Sequence, residues 1–334
     1  MALVESPAQL VNVLEWAHHT AVDLSQLTTV VLAPRNEMTR LQLRRTTELA
    51  TAAGHRVHWH EPRRDAASSV VTAASLAGEL RGAQRLIVGD PFSGIIQLVL
   101  GVLPVSEVVV VDDGTATLEF ARLWTAGSSL VRWHSTSLGL RRRHVAALAA
   151  RRIAAGSRCR LSVFTVMPVQ LQGVEVIRNR FSWVRSRFAA PEVKAEADLV
   201  GTSLVETGVV DETHYLAGVR TLTEKHHVDR YFAHRKETDA KLSKIAGLGL
   251  KVVRPDLPLE LLARRTPVGR TLVSFPSTVV HTLPLVLSDT ESRMVVCDIA
   301  DEWFTGRAPR HSEQFLGRVT TSARDTYGLA ATAC

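Results

Sequence analysis

The chain has no apolar run of about 20 residues, the length a helix needs to cross a bilayer. Its start, MALVESPAQLVNVLEWAHH, has neither the basic n-region nor the apolar h-region of a secretory leader. Both absences predict a cytoplasmic protein. Three cysteines, Cys159, Cys297 and Cys334, are scattered, odd in number and without a CxxC pair or a zinc-ligand spacing, so they are expected to be reduced and structural. There is no GxxxxGK[ST] phosphate loop, no GxSxG elbow and no HExxH pair. GLGLKV at Gly247 lacks a third glycine and precedes a strand, which makes it a poor dinucleotide fingerprint. No DxD-type carboxylate pair stands out, and metal-independent chemistry is expected. Lysine is scarce, six residues against an Arg-dominated total of 40 cations. The net charge of +7 favours anionic partners such as nucleotides, nucleic acid or a membrane surface. An Arg excess is equally what a biased coding genome produces, so the charge does not establish a nucleic-acid role.

What is present is alternation. With 334 residues, 46% hydrophobic and 22% charged, the chain can build two domains with separate cores. In the first half, strands are predicted at Thr28 to Leu32, Arg56 to His60, Arg85 to Gly89 and Glu107 to Val111. Helices lie between them, for example Glu37 to Ala53, with Gly54 at the C-cap. The last strand runs VVVVDDGTATLEFAR: an unalternating β-branched run suits a parallel strand covered on both faces, and it stops on two carboxylates. Ligands of open α/β sheets bind outside the carboxyl ends of strands, so Asp112 and Asp113 stand where functional groups collect, and Gly114 permits the tight turn that follows. The bland alternative is an Asp pair capping the helix that begins near Thr115. DPFSGIIQLVLG likewise sets Asp90 and Ser93 on the rim.

Residues 131 to 190 are less regular. Leu138 to Ala155 is helix-compatible and carries Arg141, Arg142, Arg143, Arg151 and Arg152 at its ends, either a solvated face or a docking surface for anionic membrane. SRCRLSVFTVMPVQ contains a strand, and FSWVRSRFAAPEVKAEADLV reads as a linker. From Ala197 the alternation resumes through ADLVGTS, VDRYFAHR, LKVVRP, RTLVSFPS and SRMVVCDIA, with helices at Glu212 to Glu224 and Glu237 to Ala246. The simplest architecture is two doubly wound α/β domains facing one another across a cleft. The expected division is 1–190, 191–310, and a closing segment 311–334 whose helix, Ser312 to Tyr327, packs back on the first domain.

The second array repeats the opening pattern. VDRYFAHRKE ends on His234, Arg235 and Lys236, RTLVSFPSTVV ends on Ser274, Ser277 and Thr278 before a helix, and VVRPDLPLE brings Glu260 to a comparable place. Hydroxyls at a helix N-terminus form a phosphate receptor. Singly, each has a dull explanation, a structural histidine or an N-cap. Together, carboxylates in one domain and an imidazole with hydroxyls in the other are what transfer with a phosphate leaving group needs.

The order DDG, GTSLVETGVVDETHY, YFAHRKE, RPDLPLE and SFPST resembles the bacterial sialyltransferases and polysialyltransferases of GT-B fold, including the lipooligosaccharide sialyltransferase family. The likeness is strongest over about residues 197 to 305, with support from 85 to 122. It implies an inverting transferase without a cofactor, taking a nonulosonic acid from a CMP-linked donor to a glycan or glycolipid hydroxyl, with an acceptor-side first domain and a nucleotide-sugar-binding second domain. It assigns Asp113 as the base, with Asp112 in support. His234 contacts the nucleotide phosphate and assists its departure, Ser277 and Thr278 hold the same phosphate, Glu260 binds the ribose, and Gly201 lies in a loop lining the donor site. Two residues depart from the family pattern: Arg235 replaces the proline of an H-P motif, adding a cation, and Thr278 replaces a serine, keeping the hydroxyl. A UDP- or GDP-linked hexose donor is the alternative, and a noncatalytic basic protein binding nucleic acid or membrane through Arg141 to Arg152 is a further one.

Overall fold

The four valines of VVVVDDG partition between two cores. Val108 and Val110 belong to one apolar cluster and Val109 and Val111 to another, and none is more than 1% exposed. A strand whose alternate residues feed separate cores is covered on both faces, and burying each valine is worth roughly 1.5–3 kcal/mol. The surrounding structure is a computed structural model that describes residues 1–63, 72, 75–76, 78–132, 139–306, 308 and 312–333. It divides into two units, Met1–Trp183 and Val184–Cys334.

The first unit holds strands β1 (Ala2–Val4), β2 (Thr28–Leu32), β3 (Arg56–His60), β4 (Arg85–Val88), β5 (Glu107–Val111), β6 (Arg160–Thr165) and β7 (Glu175–Arg178). They form one parallel sheet in the order β3-β2-β1-β4-β5-β6-β7. The second unit holds β8 (Val193–Val200), β9 (Val228–Phe232), β10 (Lys251–Val253), β11 (Val268–Ser274), β12 (Arg293–Asp298) and β13 (Ala330–Ala333), parallel in the order β10-β9-β8-β11-β12-β13. In both sheets the order reverses at the first strand, between β1 and β4 and between β8 and β11. Each is therefore a Rossmann-like doubly wound unit with a crevice at its own switch point.

The structure differs from the sequence reading in a few places. β1, only three residues long, sits at the centre of the first sheet and is wholly buried. The segment read as a linker contains a helix, Ser182–Arg187, and the first half of β8, whose burial begins only at Ala197, so its leading residues carry no apolar pattern. The division of the chain falls after Trp183 rather than after residue 190. The closing helix Ser312–Tyr327 forms, and its described packing lies within the second unit: Ser322 Oγ is 3.3 Å from His281 Nε2, the Tyr327 ring meets the His281 ring edge-on, and β13 then covers the edge of β12. The helix predicted from Leu138 runs from Leu140 to Arg152, and Leu138 lies outside the described residues. Cys159 is a buried free thiol, whereas Cys297 is disulfide-bonded, which corrects the expectation of uniformly reduced cysteines; Cys334 lies outside the described residues.

The buried carboxylate of the second sheet, Asp198, is paired. Arg230 grips Asp198 with two bonds of 2.8 and 2.7 Å, and the Gly269 amide donates to the same carboxylate at 2.7 Å, where the pairing of β11 with β8 shifts register. A Cβ at position 269 would lie 2.6 Å from the Glu196 carbonyl oxygen and 2.9 Å from the Asp198 nitrogen, both backbone. Gly269→Ala is expected to cost about 1–3 kcal/mol, read as a lowered denaturation midpoint; an unchanged midpoint would show that β8 and β11 separate freely.

Candidate active site

Asp112 and Asp113 are neighbours in sequence with opposite environments. Asp112 is 2% exposed, and its carboxylate accepts hydrogen bonds from the Thr165 hydroxyl, the Thr117 hydroxyl at 2.8 Å and the Val166 amide at 2.6 Å. Its carbonyl accepts from Asn12 Nδ2, and Asn179 Nδ2 donates in turn to Asn12 Oδ1. This ties the ends of β5, β6 and β7 together. Burial raises the Asp112 carboxyl to about 6, against the pull of its three donors. Asp113 is half-buried and held loosely, with Ser6 Oγ at 3.4 Å and Arg132 Nη2 at 3.3 Å. Gly114 adopts φ 66°, the left-handed turn that frees Asp113 from the strand direction. Neither carboxylate caps the helix Ala116–Thr125: its N-cap is Thr115, without a side-chain cap bond, and Asp112 bonds a hydroxyl rather than a helix amide.

A second acid completes this rim. Asp90, after β4, accepts from the Phe92 amide at 2.9 Å and from Arg132 Nη2 at 3.0 Å, so one guanidinium serves both Asp90 and Asp113. Burial first, then the Asp113 charge, pushes Asp90 up to about 6, while Arg132 opposes the shift. Across the switch point, Ser93 Oγ donates to Glu5 Oε1 at 2.6 Å, and Arg63 pairs with the same carboxylate oxygen at 2.7 Å. Ser6, Arg132, Thr165 and Glu5 carry no motif and escape a sequence reading. Their only signal is position: Glu5 and Ser6 lie just past β1, Thr165 is the last residue of β6, and Arg132 lies in an irregular segment.

In the second unit the sequence-selected residues fall at the carboxyl ends of four adjacent strands. Gly201 follows β8, His234 and Arg235 follow β9, Glu260 opens the helix Leu259–Arg265 after β10, and Ser277 and Thr278 follow β11. Burial, then Arg235, Lys236 and Lys241, pulls His234 down to about 3, so the ring is neutral near pH 7. Its Nδ1 accepts the Lys236 amide at 3.2 Å, which leaves the ring proton on Nε2 as a donor. Thr278 is the N-cap of the helix Val279–Val286 and makes no side-chain cap bond, while Ser277 Oγ has only a 3.5 Å contact with Ser274 Oγ. Glu260 accepts from Thr282 Oγ1 at 2.8 Å, which ties it to that same helix. The Nε of Arg235 is buried without a hydrogen-bond partner.

Beneath these residues lies a buried polar cluster that sequence patterns do not disclose. The Glu237 carboxylate accepts from the His234 amide at 2.6 Å and the Tyr231 hydroxyl at 2.6 Å, and pairs with Lys241 Nζ at 2.7 Å. Lys241 also donates to the Thr202 carbonyl at 3.0 Å and lies 4.0 Å from the centre of the Tyr215 ring. One ion pair therefore fixes the loops after β8 and β9 together. A Cβ on Gly201 would come within 2.4 Å of the Tyr231 hydroxyl and 2.5 Å of Glu237, so the glycine is what lets the loop lie on the cluster. Among the described residues, no group of three or more His, Cys, Asp or Glu side chains is arranged to hold a metal ion.

No family model and no curated protein sequence matches the chain. Solved structures do. The chain is similar to the α/β-galactoside α-2,3-sialyltransferase of the luminous marine bacterium Photobacterium phosphoreum, with a TM-score of 0.54 at 9% identity over 99% of this chain and 97% of that one. It is also similar to the GT-B domain of a sialyltransferase from Photobacterium damselae (TM-score 0.49, 12% identity, 100% of both chains) and to a spinosyn forosaminyltransferase (TM-score 0.45, 13% identity, 99% of this chain and 95% of that one).

The raised carboxyls have a consequence for stability. Asp90 keeps its proton in the fold up to about pH 6, whereas in the unfolded chain it ionises near its ordinary value of 3.8. Folding is therefore favoured below 3.8 and loses that contribution as pH rises to about 6. Asp90→Asn is expected to lose up to about 3 kcal/mol less than the wild type across this window in urea denaturation; parallel losses would show that Asp90 ionises normally. In architecture the chain has the GT-B fold of a bacterial sialyltransferase, two Rossmann-like α/β units in one polypeptide.

Proposed function

We propose that the chain is an inverting, metal-independent glycosyltransferase that moves a nonulosonic acid, sialic acid or a relative, from a CMP-linked donor to a glycan or glycolipid hydroxyl. The observation that carries this reading is the placement of Gly201, His234, Glu260, Ser277 and Thr278 at the carboxyl ends of adjacent strands in one sheet, where a doubly wound unit binds its nucleotide. Asp113 takes the proton of the acceptor hydroxyl as that oxygen bonds to the anomeric carbon, and the bond from that carbon to the phosphate oxygen breaks. The Nε2 proton of His234, the hydroxyls of Ser277 and Thr278, and Arg235 stabilise the departing cytidine monophosphate. Glu260 holds the ribose. Asp112 is too deeply bonded to exchange protons with an acceptor and acts by shaping the end of β5.

The unpaired Nε of Arg235 favours a second reading, because an added cation also suits the greater charge of a nucleoside diphosphate leaving group. A thermal-shift panel of CMP, CDP, UDP and GDP separates the two: stabilisation by CMP alone supports the first, by UDP or GDP alone the second. General base catalysis is worth roughly 100- to 10,000-fold, so Asp113→Ala is expected to lose at least about 100-fold in transfer rate with its nucleotide stabilisation intact. Transfer at the wild-type rate by Asp113→Ala would refute the assignment of the base.

A further inference from the structure

The basic helix of the first unit is built for contact, and its five arginines divide into two kinds. Arg142 donates to Gln97 Oε1 at 2.6 Å and to the Phe92 carbonyl at 2.7 Å, and Arg152 donates to the Val105 carbonyl at 3.1 Å. These two fasten the helix Leu140–Arg152 alongside the helix Gly94–Val102. The approach is close because the second helix has glycine where they meet: a Cβ on Gly94 would lie 3.0 Å from the Arg142 guanidinium carbon, and one on Gly101 would lie 3.6 Å from Leu148 Cβ. Arg141, Arg143 and Arg151 are instead exposed.

Between them the surface is aliphatic. Val102 is 71% exposed, Leu140 76%, Leu148 52% and Leu98 44%, and Leu148 borders Gly101, one residue before Val102 and three after Leu98. The opposite side of the helix Gly94–Val102, with Ile96, Val99 and Leu100, is already spent on the core. A merely solvated face has no use for four aliphatic side chains held in water. Electrostatics point the same way: of the seven arginines in residues 139–160, Arg160 pairs with Glu107, whereas Arg141, Arg143 and Arg151 make no ion pair among the described residues. Aliphatic groups between unopposed cations fit a surface with anionic headgroups over an acyl interior. Nucleic acid is a poorer fit, since none of the four exposed apolar residues is aromatic and none can stack on a base.

We propose that the paired helices Gly94–Val102 and Leu140–Arg152 form a peripheral docking surface for anionic lipid, with Arg141, Arg143 and Arg151 on the headgroups and Leu98, Val102, Leu140 and Leu148 inserted at the interface. No helix among the described residues is long and apolar enough to cross a membrane, so the attachment is to one leaflet. This inference is independent of the sugar donor.

Co-sedimentation of the full chain with vesicles tests it without any sugar nucleotide, using phosphatidylcholine alone or mixed with phosphatidylglycerol. The chain is expected to bind only the mixed vesicles, and to release as salt rises. The variant Arg141→Glu/Arg143→Glu/Arg151→Glu removes three basic residues and is expected to bind roughly 100-fold more weakly. Val102→Ser/Leu148→Ser is expected to weaken binding without altering the melting temperature. Failure of the wild type to bind mixed vesicles overturns the proposal. So does undiminished binding by both variants, binding to duplex DNA in place of vesicles, or a patch whose substitution abolishes self-association and leaves vesicle binding unchanged.

Discussion

A parallel sheet covered on both faces leaves polar side chains few places to be. Within its layers every charge must be matched, because an ion removed from water costs several kcal/mol unless bonded and paired. Asp198 meets that demand with Arg230 and the Gly269 amide. At the carboxyl rim the demand relaxes, since strands there turn into loops whose amides face outward. Each unit of this chain accordingly concentrates its polar chemistry at the ends of its strands, around the point where strand order reverses.

The adjacent carboxylates of β5 show how sharply this rule acts over one residue. Asp112, still at the depth of the strand, is tolerated only because three donors converge on it, and they also fix where β5 ends relative to β6. Asp113, one residue on and past that depth, keeps only long contacts to Ser6 and Arg132. Rigidity in the first group and availability in the second are complementary: an accessible acceptor on a fixed backbone can meet a partner without reorganising. The second unit solves the same problem with an ion pair. Glu237 and Lys241 are buried together and bond outward to the His234 amide and the Thr202 carbonyl, so loops that would otherwise be independent are held to one another.

What the sequence discloses follows from which interactions are local. The β-branched runs at 28–32 and 107–111 were readable because their composition alone requires burial, and the end of the second led directly to Asp113, as the ends of the strands at 228–232 and 268–274 led to His234 and Ser277. β1 was invisible because three residues hold no period, and the start of β8 because exposed polar positions precede its buried half. The partners of the site residues were beyond reach for another reason. Arg132 meets Asp113 across 19 positions, Thr165 meets Asp112 across 53, and Ser6 meets Asp113 across 107. No spacing rule links residues so far apart; only the strand order brings them together. The Glu237 and Lys241 pair is local, four positions apart across the start of the helix Asp239–Ala246, yet in sequence it resembles any solvated helix pair until burial is known.

The histidine gains its character from this arrangement rather than from its motif. Arg235, Lys236 and Lys241 all disfavour a charged ring, and burial disfavours it more, so His234 presents a neutral ring with Nε2 as its donor. The positive charge around it is permanent and resides on neighbours. An anion arriving there is attracted by the cations and hydrogen-bonded by the imidazole, and its own charge then offsets the repulsion that keeps the ring deprotonated. In the proposed reaction, negative charge building on the leaving oxygen is met by the Nε2 hydrogen bond and by permanent cations, so its stabilisation does not depend on the ring taking up a proton from the solvent.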